Sequence, residues 1–82
     1  MKKQEIINIL REKITSTILN IPGKTISHDE SIISSGLIDS FSLVDLAMLI
    51  EDELNVIIDD TELNSDTFDS LDQLADLIIS KE

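Results

Sequence analysis

Gly36-Leu37-Ile38-Asp39-Ser40-Phe41-Ser42-Leu43-Val44-Asp45-Leu46-Ala47-Met48-Leu49-Ile50-Glu51-Asp52-Glu53-Leu54 reads as a glycine-containing loop running into a long amphipathic helix, with Ser40 at the junction. At the helical repeat, Leu43, Leu46, Ala47, Ile50 and Leu54 fall on one stripe, the spacing of a buried face. Ser40, Val44, Met48 and Glu51 share another line, flanked by Asp45 and Asp52. One face therefore feeds a core. The other presents a serine, two apolar side chains and several carboxylates, which packing alone does not require.

Asp39 and Ser40 both belong to the residue types that cap helices, because a side-chain oxygen can accept one of the unpaired N–H groups of the first turn. Two adjacent residues compete for one role. If Asp39 caps, the Ser40 hydroxyl is left free at the positive end of the helix dipole, where a phosphate is favoured.

Gly36-Leu37-Ile38-Asp39-Ser40, followed by Val44-Asp45-Leu46 and the acidic Glu51-Asp52-Glu53, resembles the attachment site of the acyl and peptidyl carrier protein family. The likeness in length, helix order and acidic balance extends over nearly the whole chain. It implies an acyl carrier in which Ser40 bears 4′-phosphopantetheine, moved from coenzyme A by a phosphopantetheinyl transferase with Mg²⁺ assisting. Asp39 would position the site or engage that metal. The thiol of the arm would hold an acyl or aminoacyl group as a thioester. Phe41, Val44 and Met48 would supply apolar docking contacts, with Asp45, Glu51 and Asp52 steering basic partners. Those partners are an acyl- or aminoacyl-loading ligase and a downstream synthase or transferase. Fatty-acid carriers commonly have leucine and then an acidic residue after the serine, and this chain has Phe41 and Ser42. Together with Thr67-Phe68-Asp69-Ser70, this looks more like the stand-alone carriers of specialised pathways, which handle amino acids, hydroxy acids or polyketide units.

Composition is consistent with that expectation and narrows the alternatives. The 82 residues suit a single carrier domain, 1–82, with one core that buries roughly 60–65% of the unfolded chain's surface. Phe41 and Phe68 are the aromatics, so the core must be mainly Ile and Leu. There is no Cys, so neither a disulfide nor a thiolate metal site can form, and any thioester sulfur must come from an attached group. The formal charge is −11, and fifteen of the seventeen acids lie after Lys24, where Lys81 is the single basic residue. This disfavours nucleic acid and anionic membranes and favours basic protein surfaces. No apolar run approaches the ~18 residues of a membrane span, and the start has no signal-peptide pattern. A cytoplasmic monomer is expected.

The fold class expected is all-α: a small four-helix bundle of three longer helices and one short one, with a long loop between helices 1 and 2. Ile6, Ile7, Leu10, Ile14, Thr17, Ile18 and Ile21 recur at helical spacing and predict a first helix over about Lys3 to Leu19, ended by Asn20-Ile21-Pro22-Gly23. Residues 23–39 are a long connection pinned by Ile26, Ile32, Ile33, Leu37 and Ile38, with Gly36 giving a tight turn before the main helix. Asn55 ends that helix, and Val56-Ile57-Ile58 is an extended apolar connection tucked into the core. Asp59 and Glu62 have capping-box spacing at a short helix. After a second connection, Asn64 to Asp69, anchored by Phe68, Ser70-Leu71-Asp72-Gln73 caps a last helix that runs to about Ser80.

Catalytic chemistry is poorly provided for. Ser40 would need a base, and the single histidine, His28, lies twelve residues away in a loop. Gly23 and Gly36 are too few for a phosphate-cradling loop, and the acidic stretch lacks the ligand spacing of an EF-hand. The chain is read as a non-enzyme with no metal site. Two other classes remain open at this point: a small acidic helical interaction domain that is never modified, and a degenerate calcium-binding module.

Overall fold

The repeat of Ile6, Ile7, Leu10 and Ile14 does build a helix, and it turns these four side chains into the core. The computed structural model describes residues 2–21 and 25–82. They form α1 (Lys3–Lys13), which continues into a π-helical turn (Ile14–Ile18), then α2 (Ser40–Leu54), a 3₁₀ turn (Asp60–Glu62) and α3 (Leu71–Lys81). There is no strand among the described residues. α1 has no side-chain cap at its start, but Glu5 lies in its first turn and Arg11 and Lys13 in its last, each the sign that complements the helix dipole. It packs on α3, to which Lys3 adds ion pairs with Asp72 at 2.8 Å and Asp76 at 3.1 Å.

The π turn corrects part of the expected buried face. Thr17 and Ile21 are exposed, Ile21 at 53%, while Thr15 is buried. The Leu19 N–H donates to the Ile14 carbonyl five residues back, at 2.8 Å, so the turn holds more residues than an α turn and the inward stripe rotates. Ile18 and Leu19 become the side chains packed on the core. Two hydroxyls brace the change: Thr15 Oγ1 donates to the carbonyls of Arg11 (2.9 Å) and Glu12 (3.1 Å), and Ser16 Oγ to that of Glu12 (2.7 Å). The helix then stops at Asn20, whose φ of 54° is left-handed, and the Ile21 N–H closes the end on the Thr15 carbonyl. The expected terminators Pro22 and Gly23 lie outside the described residues.

The long connection is held at both ends and in the middle. Ile26, Ile32 and Ile38 are fully buried, and Ile33 and Leu37 pack against the core edge. Arg11 Nε donates to the Ile26 carbonyl at 2.7 Å, and the Asp72 N–H to the His28 carbonyl at 2.9 Å. His28 itself is exposed, so its backbone rather than its ring is what the fold uses.

Asp69 provides the central clamp. Its Oδ1 accepts the N–H groups of Ile33 (2.8 Å) and Ser34 (2.9 Å), its Oδ2 accepts the Ser34 hydroxyl, and its carbonyl accepts the Ile32 N–H (2.8 Å). The Ser34 hydroxyl first, then these amides, hold the Asp69 carboxyl down at about 2 against an ordinary 3.8.

The remaining links follow the same pattern. Val56 and Ile58 are buried and Ile57 between them is exposed, the alternation of an extended segment. The expected capping box at Asp59 is complete, with Thr61 N–H on the Asp59 carboxylate and Asp59 N–H on Glu62. Lys81 ties this 3₁₀ turn to the end of α3 through Glu62 at 2.9 Å. At α3 the Ser70 hydroxyl accepts the Gln73 N–H, as expected. The return bond differs, because Gln73 Oε1 accepts from Asp69 N–H (2.6 Å) and not from Ser70. Phe68, Leu71, Leu74, Ala75 and Ile78 complete a core that is otherwise aliphatic.

Candidate functional site at the start of α2

Gly36 lies at φ 82°, a left-handed conformation that disfavours residues with a Cβ. A Cβ there would meet no atom within 4 Å, so the requirement is backbone conformation and not space. The turn lets the Gly36 N–H reach the Ile33 carbonyl (3.0 Å) and the Ile38 N–H reach that of Ile32 (2.8 Å). Buried Ile38 then fixes where the next two residues emerge.

Asp39, in extended backbone, takes the cap: its Oδ1 accepts the Ser42 N–H at 2.8 Å, and its carbonyl accepts the Leu43 N–H at 3.1 Å. The amide and then the hydroxyl of Ser42 hold the Asp39 carboxyl below its ordinary value. Ser40 is the first residue of α2. Its side chain is exposed, and its hydroxyl makes no hydrogen bond among the described residues. The competition between the two candidate caps is therefore resolved in favour of Asp39. An unengaged nucleophilic oxygen stands at the positive end of a fifteen-residue helix. That arrangement fits a covalently attached phosphodiester, with nothing to displace.

α2 ends at Asn55, left-handed at φ 60°. Leu43, Leu46 and Ile50 are buried and Ala47 and Leu54 half-buried, so the stripe read from the sequence is the inward one. On the outer face Phe41 is 85% exposed, Val44 51% and Met48 58%. Asp45, Glu51 and Asp52 are exposed on the same helix and form no ion pair among the described residues. Ile57, exposed at 72%, is a further large apolar side chain that the sequence reading left inside. Its signal was available: in an extended run with Val56 and Ile58 inward, the middle residue must point out.

No group of three or more His, Cys, Asp or Glu among the described residues is arranged to hold a metal ion. No helix among the described residues is long and apolar enough to cross a membrane.

Comparison with known proteins now bears on this geometry. Residues 8–78 match the family model described as the phosphopantetheine attachment site. The chain belongs to that family. Among solved structures, the crystal structure of an acyl carrier protein from Thermotoga maritima is similar, at 25% identity and a TM-score of 0.75, over 99% of this chain and 91% of that one. No curated protein matches. The all-α carrier fold, the acyl carrier role and the covalent group, 4′-phosphopantetheine, are thereby given. Carrier domains of this family are not enzymes; they meet phosphopantetheinyl transferases and synthase-type partners.

Proposed function

We propose that Ser40 is the residue to which 4′-phosphopantetheine is attached, and that residues 1–82 form one carrier domain in the cytoplasm, serving a specialised biosynthetic pathway. One observation carries the attachment: Asp39 accepts the capping N–H, so the adjacent Ser40 hydroxyl is exposed and without a hydrogen bond. In the transfer, the Ser40 oxygen forms a bond to the pantetheine-bearing phosphorus of coenzyme A. The bond from that phosphorus to the bridging oxygen of the diphosphate breaks, adenosine 3′,5′-bisphosphate leaves with that oxygen, and the hydroxyl proton passes to a base of the transferase, where Mg²⁺ would offset the diphosphate charge. The helix dipole favours the phosphodiester formed. Asp39 keeps the start of α2 in register, which fixes where the Ser40 oxygen is presented.

The thiol that the arm supplies holds the cargo as a thioester, and tethering raises the cargo's effective concentration at a docked enzyme. Phe41, Val44 and Met48, joined by Ile57, are the apolar contacts of the docking face, and Asp45, Glu51 and Asp52 steer it toward basic enzymes. Those enzymes are the transferase, a loading ligase for acyl or aminoacyl groups, and a downstream synthase or transferase. The exposed Phe41 supports the specialised pathway, because any partner must accommodate an aromatic ring directly beside the attachment point.

Intact-protein mass spectrometry tests this reading. After incubation with coenzyme A and a phosphopantetheinyl transferase, the wild type gains one phosphopantetheinyl mass and Ser40→Ala gains none. A mass gain in the variant would move the attachment elsewhere. Loading the modified protein from a panel of acyl and aminoacyl donors then identifies the cargo class, and acceptance of fatty acyl groups alone would refute a specialised pathway.

A further inference from the structure

The first turn of α2 has no hold of its own on the core. Asp39, Ser40 and Phe41 are exposed, and the nearest buried side chains are Ile38 before them and Leu43 after them. Leu43 is carried by the helix, but Ile38 is placed by the loop. Its N–H donates to the Ile32 carbonyl at 2.8 Å, and the Gly36 N–H to that of Ile33 at 3.0 Å, which ties residues 32–38 into one folded unit. Asp69 fastens that unit to the start of α3. Successive amides end on it: Ile32 N–H on its carbonyl at 2.8 Å, then Ile33 and Ser34 N–H on its Oδ1 at 2.8 and 2.9 Å. Asp69 is itself fixed, because its own N–H donates to Gln73 Oε1 at 2.6 Å and Phe68 before it is fully buried.

We propose that Asp69 is a positioning residue for phosphopantetheine transfer, setting the place of the Ser40 hydroxyl through the loop from Ile32 to Ile38. The role rests on Ser40 being the attachment point, and it belongs to a residue outside both the Asp39-Ser40 dipeptide and the docking face. The route is a run of hydrogen bonds: Asp69 holds Ile32 and Ile33, these hold Ile38 and Gly36, and Ile38 delivers Asp39 to its capping position. A shift of about 1 Å in a reacting atom, caused by a change far from the chemistry, can cost roughly a hundredfold in rate. Without the Asp69 carboxylate, the Ile33 and Ser34 amides lose their acceptor and the tether before Ser40 slackens. α2 keeps its own buried face of Leu43, Leu46 and Ile50, so the surface that meets the enzyme stays in place. The loss therefore falls on the rate within the docked complex and not on its affinity.

The test is single-turnover transfer over a series of transferase concentrations, which separates the maximal rate from the half-saturating concentration, with melting curves for each variant. Asp69→Ala is expected to lower the maximal rate roughly tenfold and to move half-saturation less than about twofold. Asp69→Asn keeps an oxygen that can accept the two amides and should fall between Asp69→Ala and wild type. Ser70→Ala, which weakens the α3 cap but leaves the Asp69 bonds, should keep the wild-type rate, so lost stability alone is not the cause. Amide hydrogen exchange gives a readout free of the enzyme: Gly36 and Ile38, which Asp69 does not touch, should exchange faster in Asp69→Ala and not in Ser70→Ala. If Asp69→Ala and Ser70→Ala share one maximal rate, or if the Asp69 variants change half-saturation alone, Asp69 is only a structural joint, although Ser40 modification stands. Should Asp69→Ala not fold, Asp69→Asn is held to the same comparison. If the wild type is not modified at all, the carrier reading falls and the positioning role with it.

Discussion

The dipeptide Asp-Ser starts two helices in this protein, and the two starts differ by one residue in register. At α2, Asp39 is the cap and Ser40 is the first helical residue, exposed and without a hydrogen bond among the described residues. At α3, Ser70 is the cap, 8% exposed, with its hydroxyl accepting the Gln73 N–H at 3.2 Å. Asp69 then stands one residue outside α3 and turns its carboxylate to the loop at Ile33 and Ser34. A serine at a helix start is thus available for chemistry only when its neighbour does the capping. The same two residue types leave an unengaged hydroxyl in one place and make a structural joint in the other.

The sharpest way to break this contrast is to truncate both serines. Ser40→Ala should lose all phosphopantetheine transfer and keep its melting temperature, because its hydroxyl holds nothing. Ser70→Ala should keep its transfer and lose ~0.5–2 kcal/mol of stability, the typical cost of an N-cap. Denaturant melts beside intact-mass measurements give both readouts. Equal loss of stability in the two variants would mean that Ser40 also caps.

Next in size is the role of Asp69. Its carboxyl is held at about 2 when folded, against an ordinary 3.8, so the unfolded chain takes up the proton first as the pH falls. The clamp contributes in full above 3.8 and is lost progressively from there down to about 2. Asp69→Asn should melt well below wild type at neutral pH, with the gap closing across that window. A gap that stays constant to pH 2 would remove the loop clamp as its cause.

Gly36→Val probes the other approach to α2. A β-branched residue at φ 82° costs about 1–3 kcal/mol of backbone strain even with open space around it. Stability should fall by that amount, and transfer to Ser40 should slow as the loop before Asp39 shifts. Gly36→Ala, with the same sign and smaller size, separates conformation from bulk. If both variants melt as wild type, the turn does not need its left-handed residue.

The contrast also explains what the sequence could and could not disclose. Local signals are enough to assign the inward stripe of α2 by its period, the Asn55 stop by its residue type and the Phe68 anchor by its lone aromatic bulk in a polar connection. The register of the two Asp-Ser starts is half legible: capping-box spacing gives Ser70 as the cap of α3, whereas at α2 Asp39 and Ser40 are both candidates. Both dipeptides have an apolar residue just after, Phe41 or Leu71, yet Phe41 is 85% exposed and Leu71 fully buried. What frees Ser70 to cap is that Asp69 is engaged with residues more than thirty positions away, and no local pattern encodes that. The π turn was hidden for a related reason. ITSTI carries the same apolar spacing whether it turns in α or π geometry, so periodicity does not distinguish the two. Ile57, by contrast, was legible from the strict alternation of an extended run.

The smallest expected effects concern charge, where the two helices differ again. The acids of α3 are answered, since Lys3 pairs with both Asp72 and Asp76, whereas Glu51 and Asp52 on α2 have no ion pair among the described residues. With a net charge of −11 the folded state concentrates repulsion that salt can screen beyond a Debye length of roughly 8–10 Å. The melting temperature should therefore rise with added salt, and somewhat further with Mg²⁺ or Ca²⁺ at matched ionic strength, since ions that favour the folded surface stabilise it. Salt should slow transfer at the same time, because steering of a basic enzyme depends on that unscreened field. Glu51→Lys should reduce kcat/KM and flatten its salt dependence without lowering stability. Asp76→Lys carries the same charge change on α3 and should leave transfer within about twofold of wild type. If the two reversals slow transfer equally, the field of the whole molecule steers the enzyme and α2 has no privileged share in it. If Glu51→Lys is modified as fast as wild type at every salt concentration, the unpaired acids of α2 serve solubility alone.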